Sequence, residues 1–105
     1  MNYNLLLNDL KQKLEYEFND LIEKVILFGS QINGKASEFS DYDILVVLKK
    51  DYDWKIEEKI IDLSYEVALK YDIIIDMKVI SVNELNNLRG KQPYIINALY
   101  YGVGI

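Results

Sequence analysis

The chain of 105 residues contains no cysteine and no histidine. Without cysteine, it has neither a disulfide framework nor a thiolate nucleophile. Without histidine, it cannot carry out Ser-His-Asp or Cys-His catalysis, build an imidazole zinc site, or use a histidine as general base. Any chemistry must therefore use carboxylates, hydroxyls, lysines, backbone amides or a hard metal ion held by oxygen ligands.

Positive charge is also scarce, since 12 Lys and Arg residues face 17 Asp and Glu residues and the formal net charge is −5. This balance disfavours a groove for nucleic acid, although Mg²⁺ can link an acidic protein to the phosphates of a nucleotide. No apolar run approaches the ~20 residues that span a bilayer. The N-terminus lacks a signal peptide, so we expect a cytoplasmic protein that does not bind membranes.

The length and the half-apolar composition predict a single domain over residues 1–105. Apolar spacing predicts helices over 4–20, 54–71 and 93–101, and strands over 25–28, 43–48 and 73–80. Ser81 and Glu84 form a capping-box pattern that begins a short helix, and residues 103–105 read as an edge strand. This order of elements predicts an α/β or α+β fold in which helices pack on a small sheet.

The last predicted helix is rich in apolar side chains. Its spacing places Ile95, Ile96 and Leu99 on one side, with Tyr94 and Tyr101 beside them. We expect this side to cover the core, and the alternative is an aromatic surface that docks a partner or a second copy.

Three carboxylates occupy unusual positions in the predicted strands. Asp41 and Asp43 come at the entrance of the second strand, and residues two apart on a strand point to the same face. Asp76 lies inside the otherwise apolar strand IIIDMKVI, where an unpaired carboxylate is costly to bury. Together they predict an oxygen-rich site suited to Mg²⁺. The alternative for Asp76 is a structural role, paired with Lys78 or a loop amide.

Gly29 and Ser30 follow the first strand directly. Glycine lets the backbone approach a phosphate closely, and Ser30 offers a hydroxyl and an amide, so the pair predicts a cradle for a triphosphate. The segment from Gly29 to Gly34-Lys35 also approaches a P-loop pattern. That motif, however, requires Ser or Thr where Ala36 stands, and a long helix after it.

The motifs Gly29-Ser30, Ser40-Asp41-x-Asp43 and Asp76 resemble the minimal nucleotidyltransferases of the DNA polymerase beta superfamily. The resemblance is to the MNT type, which is usually paired with a HEPN partner, and it runs from the leading helix through the segment 93–103. It implies the nucleotidyltransferase fold, with a small mixed sheet.

The resemblance also assigns roles to residues. It implies that Gly29 and Ser30 bind the phosphates of ATP or another nucleoside triphosphate. It implies that Asp41, Asp43 and Asp76 are both the catalytic residues and the ligands of two Mg²⁺ ions. The reaction implied is transfer of a nucleoside monophosphate, AMP from ATP, to a hydroxyl of a HEPN toxin, so that the chain acts as an antitoxin.

One departure from the family pattern concerns charge. Members commonly carry arginines where this chain has Gln31 and Asn33, and Lys35 compensates for at most one of them. The missing arginines favour an alternative in which the chain is a binding module that blocks its partner sterically. Both functions are compatible with a homo- or hetero-oligomer.

Overall fold

The computed structural model describes residues 3–33 and 41–105. It contains five α-helices within these residues: α1 Tyr3–Phe18, α2 Ser30–Asn33, α3 Trp54–Tyr71, α4 Val82–Leu85 and α5 Pro93–Tyr101. The strands are β1 Ile22–Phe28, β2 Tyr42–Leu48, β3 Ile75–Ser81 and β4 Val103–Gly104. Two short 3₁₀ helices, Asn19–Leu21 and Leu88–Lys91, precede β1 and α5. None of the described helices is both long and apolar enough to cross a membrane.

The strands form one mixed sheet in the order β3-β2-β1-β4. β2 and β3 are parallel neighbours, and α3 provides the long connection that parallel strands require. β1 pairs antiparallel with both β2 and β4. The prediction of an α/β fold with a small mixed sheet is therefore confirmed, including the short edge strand at the end of the chain.

Local signals in the sequence account for the ends of the helices. The Asp53 carboxylate accepts a hydrogen bond from the Ile56 amide at 3.0 Å and so caps α3, which spans the predicted residues. Ser81 and Glu84 form the predicted capping box at the start of α4. The strand boundaries differ from prediction, because β1 begins at Ile22, earlier than expected, and β3 begins only at Ile75.

One face of the sheet lies under α1 and α3. Four leucines of α1 are fully buried there, together with Ile60 and Val67 of α3. They pack on alternate residues of the strands, such as Leu27, Ile44 and Val79. This face is the larger hydrophobic core and fixes the three long strands relative to one another.

The opposite face of the sheet is covered by α5 over only part of its area. Ile95 and Ala98 are buried against the other set of alternate strand residues. The predicted grouping of Ile96 and Leu99 with Ile95 is wrong, since these two side chains are 42% and 46% exposed. A helix of nine residues contacts a flat sheet along one narrow stripe, and here the stripe runs from Ile95 to Ala98.

Candidate functional site

The register of the sheet places Asp43 and Asp76 side by side. Phe28 of β1 pairs with Asp43 of β2, and Asp43 pairs with Asp76 of β3. Because side chains alternate along a strand, all three residues of this row point to the face that carries α5. The parallel pairing of β2 and β3 thus joins two carboxylates that are 33 positions apart in sequence.

Asp41 lies directly before β2, two residues from Asp43, and is exposed. At the first residue of β2, the Tyr42 amide donates a hydrogen bond to the Ile74 carbonyl at 2.8 Å. The negative charge of Asp41 is close enough to raise the pKa of Asp43. All three predicted carboxylates therefore lie in one region at the beginning of β2 and β3.

Gly29 is in direct contact with the Asp43 carboxylate. It ends β1 with φ at +78°, a backbone conformation that favours glycine, and a Cβ built on it would collide with Asp43 Oδ2. Its carbonyl accepts a hydrogen bond from the Ile32 amide at 3.0 Å within the turn that leads into α2. Ser30, half-buried, is the first residue of α2. The predicted phosphate-binding residues are thus adjacent to the carboxylates.

The raised pKa of Asp43 reflects its burial and the negative charges around it. Partial burial raises the pKa of its carboxyl above the ordinary value of 3.8, and the negative charges of Asp76 and Asp41 raise it further. The positive charge of Lys78 acts in the opposite direction. A cation placed among these carboxylates would relieve the repulsion, which is what a hard metal ion does in such a site.

Lys78 is the cation that the structure places beside the carboxylates. It follows Asp76 by two residues on the same face of β3, and its Nζ lies 3.1 Å from Asp76 Oδ1. The same Nζ lies 5.9 Å from the centre of the Tyr94 ring on α5. The ion pair matches the alternative interpretation of Asp76 as a paired structural residue. The position of Tyr94 could not be inferred, because no sequence pattern relates α5 to β3.

The donor set fits Mg²⁺ in its chemistry, since it consists of carboxylate oxygens next to a glycine that leaves space at Asp43. Over residues 3–33 and 41–105, however, no three acidic, histidine or cysteine side chains are gathered as a group that could hold a metal ion. The roles of Asp41, Asp43 and Asp76 as metal ligands remain predictions. Lys35 and Ser40 lie outside the described residues.

A second polar cluster lies at the far end of β3. The Arg89 guanidinium donates to the Val79 carbonyl at 2.8 Å, to the Tyr52 hydroxyl at 2.9 Å and to Glu84. Burial raises the pKa of Tyr52 to about 12. The cluster fastens the segment between β3 and α5 to the sheet, so it helps to position α5 over the face that carries the carboxylates.

Comparison with known proteins gives the family. Residues 5–101 match the family model described as nucleotidyltransferase domain. Two proteins of Methanocaldococcus jannaschii that carry the name "Putative protein adenylyltransferase" are similar in sequence. One is 32% identical over 97% of this chain and 96% of its own length, and the other is 36% identical over 67% of this chain and 71% of its own length.

Solved structures agree with the fold. A toxin-antitoxin with AMP-PNP superposes with a TM-score of 0.56 at 18% identity, over 91% of this chain and 69% of that chain. A tri-AMPylated Shewanella oneidensis HEPN toxin in complex with its MNT antitoxin gives a TM-score of 0.51 at 17% identity, over 96% of this chain and 69% of that chain. At these identities the likeness shows the fold. The chain belongs to the nucleotidyltransferase domain family and is a nucleotidyltransferase with the MNT-type fold.

Proposed function

We propose that this chain transfers AMP from ATP, with Mg²⁺, to a hydroxyl of a HEPN-type toxin and thereby acts as an antitoxin in the cytoplasm. One observation carries the proposal: Asp43 and Asp76 pair across two parallel strands, and the backbone of Gly29 abuts the Asp43 carboxylate. Carboxylates beside a close-approach glycine provide ligands for a metal ion next to space for a phosphate.

The proposed reaction forms one bond and breaks one. The acceptor oxygen attacks the α-phosphorus of ATP in line, the bond between the α-phosphorus and its bridging oxygen to the β-phosphate breaks, and pyrophosphate leaves. Asp41, Asp43 and Asp76 would hold Mg²⁺, which supplies charge neutralisation on the phosphates and a lower pKa for the acceptor hydroxyl. Gly29 and Ser30 bind the phosphates, and Asp76 accepts the hydroxyl proton.

Two comparisons support the choice of AMP and of a protein acceptor. The Methanocaldococcus relatives are named as protein adenylyltransferases, and one of them matches almost the entire chain. A structural neighbour contains AMP-PNP, and another contains an AMPylated HEPN toxin bound to an MNT antitoxin.

A second candidate function is steric neutralisation of the toxin by a chain that transfers nothing. The observation that favours it is the ion pair of Lys78 with Asp76, together with the lack of a three-residue metal group in the described part of the chain. Gln31 and Asn33 of α2, which stand where family members commonly have arginines, point the same way. The two functions predict different consequences of losing the Asp76 carboxylate.

The deciding experiment incubates the purified chain with ATP, Mg²⁺ and a HEPN-type toxin. Parallel reactions with α-labelled and γ-labelled ATP separate adenylyl transfer from phosphorylation. We expect label on the HEPN-type protein from α-labelled ATP alone, and none after EDTA treatment. Asp76→Asn should lower the rate by at least about 10²–10⁴-fold, the range for loss of a general base.

Asp62→Asn is the matched control, because it removes the same charge from an exposed position on α3. It should transfer AMP at the parental rate. If Asp76→Asn protects cells from the toxin as well as the parent does, transfer is dispensable and the steric function is correct. If the parent labels no protein under any of these conditions, the enzymatic proposal fails.

A further inference from the structure

The surroundings of Lys78 suggest a role for this residue beside the proposed metal-binding carboxylates. Its ammonium is 3.1 Å from Asp76 Oδ1, while its side chain remains 41% exposed and that of Asp76 43% exposed. The register places Lys78 opposite Leu45 of β2, two residues along the same face from the pair of Asp43 and Asp76. Lys78 thus pairs with Asp76 while both side chains remain accessible to solvent.

The charges explain why a lysine is needed there. Asp43 and Asp76 are directly paired across β2 and β3, and Asp41 lies two residues before Asp43, so like charges face one another here. In protein without a divalent cation, this repulsion would push the Asp76 side chain away from Asp43 into solvent. The ammonium of Lys78 attracts both carboxylates, because it pairs with Asp76 and also stabilises the charged form of Asp43.

We propose that Lys78 is an internal counter-ion that holds Asp76 beside Asp43 in the metal-free protein and competes with the divalent cation for Asp76. This inference rests on the proposed metal-dependent function. Lys78 acts here as a positioning residue, since it works through Asp76. When a divalent cation binds, the ammonium leaves Asp76. The flexible four-carbon side chain and the Tyr94 ring, 5.9 Å from Nζ, offer it a nearby position.

Removal of a side chain from an active site usually weakens binding there, but we expect the opposite for Lys78. Removal of Lys78 should strengthen binding of a divalent cation, since the cation no longer has to displace an ammonium. A unit charge a few ångströms from a partly exposed site changes affinity by about tenfold. A residue that only supported the fold would weaken or leave unchanged the binding of the cation.

The test measures binding of Mn²⁺ by calorimetry in the absence of nucleotide, so that it does not depend on transfer activity. Lys78→Met keeps most of the aliphatic stem and should lower the dissociation constant by about tenfold. Lys78→Arg should restore the parental value, because a cation is again present. Lys70→Met is the matched control: Lys70 also pairs with an aspartate, Asp9 at 2.6 Å, but lies on α3. It should bind Mn²⁺ as the parent does.

Equal or weaker Mn²⁺ binding by Lys78→Met would overturn the counter-ion inference and leave the proposed function standing. Equal tightening in Lys70→Met would also overturn it, since net charge alone would then explain the effect. If the parent and Lys78→Met both fail to bind Mn²⁺ without nucleotide, the counter-ion inference fails, whereas the proposed function is still judged by EDTA-sensitive labelling, because the phosphates of ATP also provide ligands for the metal ion. Lys78→Gln provides a second neutral variant if Lys78→Met does not fold, and the same comparison applies to it.

Discussion

The two faces of the sheet use the same strands for different purposes. On the face under α1 and α3, the row Leu27, Ile44 and Met77 is apolar. One residue away, on the face under α5, the row Phe28, Asp43 and Asp76 carries two carboxylates. The first face is buried by two long helices, whereas α5 covers only part of the second. The difference shows that the larger apolar core and the candidate site lie on opposite faces of one sheet.

We expect the face of the sheet under α1 and α3 to contribute most of the stability. Leu10 of α1 is fully buried in this core, and Leu10→Ala should lower the free energy of unfolding by about 2–5 kcal/mol. Urea unfolding followed by circular dichroism measures the loss. Leu5→Ala on the same helix is the control, since Leu5 is 59% exposed and its truncation should cost far less. Equal losses in both variants would contradict the assignment of the core to this face.

Gly29 tests the contact between backbone and carboxylate on the other face. Gly29→Ala places a side chain at a φ of +78° and against Asp43, so we expect a loss of about 1–3 kcal/mol together with weaker nucleotide binding. Gly104→Ala is the control, because its Cβ meets the flexible Lys24 side chain at 2.9 Å. Thermal melts and nucleotide titration are the two measurements. Parental behaviour of Gly29→Ala in both would show that the contact is unimportant.

Asp43 should destabilise the metal-free protein when it is ionised. Because the folded state raises the pKa of Asp43, its contribution to stability is present below the ordinary value of 3.8 and is lost as the pH rises through the folded value. Asp43→Asn should therefore melt at a higher temperature than the parent at neutral pH, in EDTA. The two proteins should converge below pH 3.8. A lower melting temperature for Asp43→Asn at neutral pH would refute the repulsion.

The ionised Asp9 carboxylate, on the face under α1 and α3, should stabilise the protein, which is the opposite of Asp43, and the effect should be smaller. Lys70 donates a hydrogen bond to the Asp9 carboxylate, and Tyr71 donates another, so the pKa of Asp9 lies below its ordinary value. This stabilisation is present at neutral pH and is lost as the pH falls through the folded value. Asp9→Asn should lower the melting temperature slightly at pH 7 and have no effect in strong acid. A difference that grows on acidification would contradict this sign.

Much of the fold could be predicted from the sequence because its signals are local. The apolar spacing predicts the 18 residues of α3 correctly, and the capping-box pattern of Ser81 predicts the start of α4. The predictions that failed concern how helices and strands pack against one another. The buried stripe of α5 runs along Ile95 and Ala98, and the predicted inclusion of Ile96 and Leu99 was wrong because periodicity does not specify how a short helix lies on a sheet.

For the site, the sequence by itself determined which residues can do chemistry. The lack of histidine and cysteine left carboxylates, hydroxyls, lysines and backbone amides, and its position in an apolar strand marked Asp76 as a residue that needs a ligand or a partner. The sequence offered Lys78 or a loop amide as its partner, and only the tertiary structure decided for Lys78 and added Asp43 as a neighbour. Register across parallel strands joins Asp76 to Asp43, and the ammonium of Lys78 pairs with Asp76. The physical reason is that strand pairing acts between residues distant along the chain, where no local pattern records it, whereas Lys78 lies only two residues from Asp76.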